Sequence, residues 1–188
     1  MKWWSRSKKF LLLLAILAIT AAAGWNSCSR EIIRSFSRPE WVHAESTALQ
    51  LKNSISAYFT EYRNYPVFAP DKDGTVESGC ALMDILLGSD TQKEPGGRNP
   101  RGIAFYTDKA AKPIDEGRFR RGVTLDENGG GELWDAWGNH YRVRLDTNGD
   151  GKVENPEAPG TQLPESILIW SAGPDGDFET WKDNVKSW

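Results

Sequence analysis

The sequence predicts an α+β fold in which a long N-terminal helix, first apolar and then amphipathic, packs on a small antiparallel sheet followed by a structured carboxyl-terminal loop. Three observations carry this. Phe10 to Trp25 is uncharged and apolar all round, which suits lipid better than a soluble core. Between Glu40 and Pro66 the residues Ala44, Ala48, Leu51, Ile55, Tyr58, Phe59 and Tyr62 step by three or four, the period of a packed helix. From His140 to Asp146, Tyr141, Val143 and Leu145 alternate with Arg142 and Arg144, the mark of a strand with one buried face.

Taken in order, residues 1–9 form a basic start, 10–29 a transmembrane anchor, 30–66 an amphipathic stalk and 67–188 a globular head. Phe10 to Ser29 holds about twenty uncharged positions, which at ~1.5 Å per residue spans the ~30 Å of a hydrocarbon core. Trp3, Trp4 and Trp25 suit the two interfaces, and the leading cations keep the amino terminus in the cytoplasm. A cleaved secretory signal, cut near Ala21 to Ala23, competes with the anchor; both readings export the rest of the chain. Pro39 disfavours helix at Arg38 and suits the first turn of the second helix.

In the head, Cys80 to Gly88 reads as a short helix with Leu82, Ile85 and Leu86 inward and Gly88 as its stop. Ile103 to Thr107 reads as a strand; the charged stretch from there to Leu125 has no periodicity to place it. Gly129 to Gly131 make a flexible turn, since neither Lys-Ser nor Lys-Thr follows to hold a phosphate. Ser166 to Ser171 is continuously apolar in its middle and is the expected partner of the strand after His140, with both faces covered, one of them by the amphipathic helix.

The net charge is -3, and four bases with no acid precede Phe10, leaving the remainder at -7. An acidic balance of this kind argues against a nucleic-acid partner, which would need a basic face to meet phosphates. Cys28 and Cys80 match no metal spacing and are read as two separate thiols or, in an exported head, a disulfide. His43 and His140 stand in no nucleophile motif, and the chain is read as non-enzymatic, with no small-molecule substrate.

Two acidic loops are candidate metal sites. Asp146 to Glu157 fits the calcium-loop spacing: Asp146, Asn148 and Asp150 offer side-chain oxygens, Lys152 a carbonyl, and Glu157 stands at the twelfth place. A hairpin turn whose Asx side chains bond their own backbone fits the same residues. The tail gathers Asp175, Asp177, Glu179, Thr180 and Asp183, a turn-rich stretch that needs tying down, for which a bridging cation would serve.

Ala57-Tyr58-Phe59 with Tyr62 and Tyr65-Pro66, Asp135-Ala136-Trp137-Gly138-Asn139 with Tyr141, Ser171 to Gly176, and Asp183-Asn184-Val185 with Ser187-Trp188 together resemble the major pseudopilin of the type II secretion system and its type IV pilin-like relatives. The resemblance implies a pilin-like head with calcium near Asp175 and Asp183. It further implies a single-pass inner-membrane protein with a periplasmic head, and other pseudopilin or secretion-system subunits as partners. Lys9 stands where the family has its cleavage-site Gly, Leu14 where it has a Glu, Ala136 for a proline and Asn184 for an acid. A non-polymerising or atypical member is therefore expected. The alternative is a secreted or periplasmic calcium-binding module that does not assemble.

Overall fold

The first described helix, α1, covers residues 39–62, and its inner stripe explains its position. Ala44, Ala48, Leu51, Ile55 and Tyr58 are all fully buried, so each turn places one or two apolar side chains against the sheet. Pro39 occupies the first turn, where its missing N–H leaves no bond unmade. The helix closes at Arg63, whose φ of 56° is left-handed and whose N–H reaches the Phe59 carbonyl at 2.8 Å. In this computed structural model the described residues are 39–66 and 74–188.

Beyond α1 come β1 (Thr75–Glu77), α2 (Cys80–Leu87) and α3 (Asp90–Lys93), then β2 (Lys112–Asp115), β3 (Arg118–Arg120), β4 (Gly122–Leu125) and β5 (Gly131–Trp134). The remainder is β6 (Arg142–Leu145), β7 (Val153–Glu154), β8 (Gln162–Leu163), β9 (Ile167–Ser171) and β10 (Val185–Lys186). One four-stranded antiparallel sheet, ordered β1-β6-β9-β10, and three two-stranded hairpins make up the β structure described.

Strand β9 is buried along its whole length. Ile167 and Ile169 enter the main core with Leu51, Ile55, Tyr58, Val143 and Leu145. Leu168 and Trp170 point to the other face, where Val153, Phe178, Trp181 and Trp188 cover them. The carboxyl-terminal residues thus form the second lid of the sheet. Their order comes from β10, from Ser187 Oγ accepting the Ile169 N–H at 2.9 Å, and from a Lys186–Glu157 ion pair at 2.6 Å.

Helix α2 ends on Gly88, at φ 73°, whose N–H caps the carbonyls of Asp84 and Ile85. A side chain there would meet the Gly102 carbonyl oxygen at 2.8 Å, so both the dihedral and the space require glycine. Ile103 to Thr107 is a strap, not a strand. The Phe105 and Tyr106 N–H groups both reach the Leu86 carbonyl, at 2.8 and 3.0 Å, leaving no ladder to a partner strand. Asn99, fully buried, holds the strap in place. Its Nδ2 donates to the Ile85 and Ile103 carbonyls, and its Oδ1 accepts from Tyr62 Oη and the Ile103 N–H, all between 2.7 and 3.0 Å.

The pilin-like architecture is corrected. The described fold is mixed α+β with small antiparallel sheets and a modest helix, and among the described residues no helix is long and apolar enough to cross a membrane. The outer side of α1 carries polar and charged groups such as Glu45, Ser46, Asn53 and Glu61, which would be unsatisfied in lipid. The membrane topology, the inner-membrane localisation and the transmembrane keyword lose their support accordingly. The basic start, the Phe10–Ser29 anchor, Cys28 and the beginning of the stalk lie outside the described residues. Cys80 is a free, exposed thiol.

Candidate functional site

Asp135, in the loop after β5, is a heavily bonded buried carboxylate. It is fully buried. Its Oδ1 accepts the N–H groups of Trp137, Gly138 and Asn139 at 2.8, 2.7 and 2.8 Å, and its Oδ2 accepts the Ser171 hydroxyl at 2.5 Å. Burial pushes the carboxyl up, while the Asn139, Ser171, Trp137 and Gly138 donors pull it down. Ser171, also fully buried, accepts the Gly173 N–H at 3.1 Å as well. This unit stitches the Trp137 loop to the end of β9. Neither residue faces an open site.

The predicted metal ligands are held in other ways. Asp146 turns both oxygens onto its own loop, accepting Gly149 and Asp150 N–H groups at 2.7 and 3.1 Å on Oδ1 and the Gly151 N–H at 2.8 Å on Oδ2. Asn148 Nδ2 lies 3.3 Å from Asp150 Oδ2, and their remaining oxygens bond backbone within the turn. Glu157 points away to Lys186. In the tail, Asp175 accepts the Asp177 N–H at 2.9 Å, Asp177 accepts the Glu179 N–H at 3.0 Å, and Thr180 donates to Asp177 Oδ2 at 3.3 Å. Asp183 Oδ1 is buried with no partner, and burial together with the charges of Asp175 and Asp177 pushes that carboxyl up.

Among the described residues no group of three or more His, Cys, Asp or Glu side chains could hold a metal ion. The calcium-stabilised head and the calcium-binding module are both corrected on that finding. The calcium-loop spacing is satisfied by Asx turns, which use the same carboxylate-and-glycine pattern to bond backbone.

The histidines have local roles. His140 Nδ1 lies 3.1 Å from the Leu133 carbonyl and its ring packs 4.2 Å from the Trp134 ring. His43 Nδ1 lies 3.4 Å from Thr47 Oγ1, one turn along α1; burial lowers its pKa, helped by the nearby charges of Lys109 and Arg121.

The outward side of α1 has a different character. Val42 is 61% exposed and Leu49 45%, both large apolar side chains, seven residues and hence two turns apart. A shallow groove of about 450 Å³ includes Leu49, lined also by Ser46, Gln50, Asn53, Ala57 and Phe105 among others, none of them charged. Gln50 Nε2 donates to the Thr107 carbonyl at 2.6 Å and fixes one wall of the groove to the strap. Phe105 is wedged against Tyr58 and Tyr62, with ring centroids at 5.4 and 6.0 Å, so the other wall is rigid too. Sequence reading registered only the inner stripe of this helix. The signal for the outer one is the spacing of Val42 and Leu49 on positions opposite Leu51 and Ile55.

No family model matches the chain, and comparison with curated proteins and with solved structures finds no match either. The resemblance to pseudopilins is therefore corrected. It rested on short motifs, and the structure gives several of them packing roles: Asp135 holds its own loop, Tyr58 Oη donates to the Arg98 carbonyl at 2.7 Å, and Trp188 closes the second core.

Proposed function

We propose that the head is a non-catalytic protein-interaction domain whose contact surface is the outward side of α1. The observation that carries this reading is the uncharged groove lined by Leu49, on the same helix side as the exposed Val42. Large apolar side chains left in water on one rigid helix face favour burial against another apolar surface, at about 25 cal/mol per Å² removed from water. The walls of the groove offer amide and hydroxyl groups and no titratable pair, which suits a peptide or helix better than a reacting small molecule. Charge supports a protein partner as well: the chain is net acidic, which disfavours nucleic acid.

A photo-activatable residue placed at Leu49 or Asn53 of the full chain tests this. Cross-linking to a distinct protein from both positions, and not from exposed Glu127, is the expected result. Equal labelling from all three positions, or none from Leu49 and Asn53, would refute the surface.

A further inference from the structure

The β2–β3 hairpin stands out against the acidic body. Between Lys109 and Arg121 there are five bases and two acids, in a chain whose net charge is -3. Nearly every residue of the two strands is exposed. The register sets Lys112 directly opposite Arg120. Like charges facing each other across an antiparallel pair are destabilising, and two-stranded ribbons have little else to offset this. Among the described residues, Lys109, Lys112, Arg118 and Arg120 make no ion pair; the fifth base, Arg121, is the partner of Glu40.

The opposite side of the hairpin is what attaches it to the head. Pro113 pairs with Phe119, and the Phe119 ring lies 6.0 Å from that of Trp134, so this side faces inward. Lys112 and Arg120 thus share the side that faces away from the body. Asp115 ends β2 and the turn between the strands is Glu116-Gly117, with Gly117 at φ 74°. Asp115 and Glu116 would meet an anionic lipid surface first if the hairpin approached one by its tip. The cations are displayed along the strands, where an extended segment can lie, and guanidinium pairs with carboxylate in two parallel hydrogen bonds.

We propose that the outer side of the β2–β3 hairpin is a docking site for an acidic segment of a partner protein, whose carboxylates replace the missing counter-charges of Lys112 and Arg120. This deepens the reading of the head as an interaction domain by giving the chemistry of one partner segment, on a surface separate from α1.

The test uses the full chain and a fluorescently labelled oligoglutamate peptide. Binding is expected at low salt and should weaken steeply as salt screens the charges. The double reversal K112E/R120E should weaken it at least tenfold, and the neutral K112S/R120S variant should also weaken it while keeping the wild-type fold. The single reversal K112E places an acid opposite Arg120 and should leave the melting temperature unchanged or higher. Peptide binding that is absent, or unaffected by both double variants, overturns the proposal; so does binding to anionic phosphatidylserine vesicles, lost in those variants, in place of the peptide. Leu49→Glu should not change peptide binding. In the otherwise wild-type chain, absence of the α1 cross-links with peptide binding intact therefore refutes the α1 surface alone, and cross-links present with peptide binding absent refutes the hairpin alone.

Discussion

Replacing Asp135 by alanine removes four hydrogen-bond acceptor contacts at once, from the N–H groups of Trp137, Gly138 and Asn139 and from Ser171 Oγ. Hydrogen bonds to a charged acceptor contribute about 1.5–3 kcal/mol each, and a buried donor left without a partner carries about 1–3 kcal/mol of desolvation. Gly138 N–H and Ser171 Oγ are the two bonds that lie wholly inside the protein. Counting those two in full and the half-exposed pair as re-solvated by water gives a loss of about 3–6 kcal/mol, a large part of a typical domain's ~5–15 kcal/mol. Asp135→Asn keeps one carbonyl oxygen for the three N–H groups and disturbs mainly the Ser171 bond, so about 1–3 kcal/mol is expected. Urea unfolding followed by tryptophan fluorescence reads both, from the shift in midpoint at constant slope. An Asp135→Ala variant within about 1 kcal/mol of wild type would show that this carboxylate does not hold the loop, and would refute the structural role.

Asp146→Ala should lower the melting temperature by the same amount in chelator and in millimolar calcium, because the carboxylate serves its own backbone; a calcium-dependent difference would contradict that. Leu51→Ala, on the buried side of α1, should destabilise by about 2–5 kcal/mol, while Leu49→Ala two positions earlier should stay within about 0.5 kcal/mol. The Asp183 carboxyl has a raised folded-state pKa. Below that value the folded state binds a proton that the unfolded chain, with its lower pKa, does not yet bind, so acidification should stabilise the loop and rising pH should remove the gain. The Asp183→Asn variant should lack this component, and unfolding midpoints at several pH values would show it; a variant with wild-type pH dependence would contradict the assignment.

Several elements were legible because their burial is periodic. The α1 stripe, the alternation through Tyr141, Val143 and Leu145, and the two-sided burial of β9 all follow from which residues can leave water. The β2–β3 hairpin was not legible: exposed on nearly all positions, it has no apolar alternation, and its strands are held by backbone register, by Phe119 against Trp134 and by Ile114 beside Gly138. Ile103 to Thr107 misled for the opposite reason. Its apolar residues pack as a strand's would, but their backbone groups go to Leu86 and to Asn99. The acidic loops show a chemical ambiguity, since Asp146 can turn its oxygens toward a cation or toward three N–H groups, and spacing alone does not separate the two. Asp135 had a readable signal, an aspartate followed within four residues by a glycine and an asparagine, which is the pattern of a side chain capping its own turn.

Helix α1 is proposed to have two sides with different duties, one inside the head and one for a partner. The paired substitution V42E/L49E, scored for cross-linking from Asn53 in protein whose unfolding midpoint is measured alongside, tests this most directly. An unchanged midpoint with the cross-linked partner lost is the predicted result; an unchanged midpoint with cross-linking intact would contradict it.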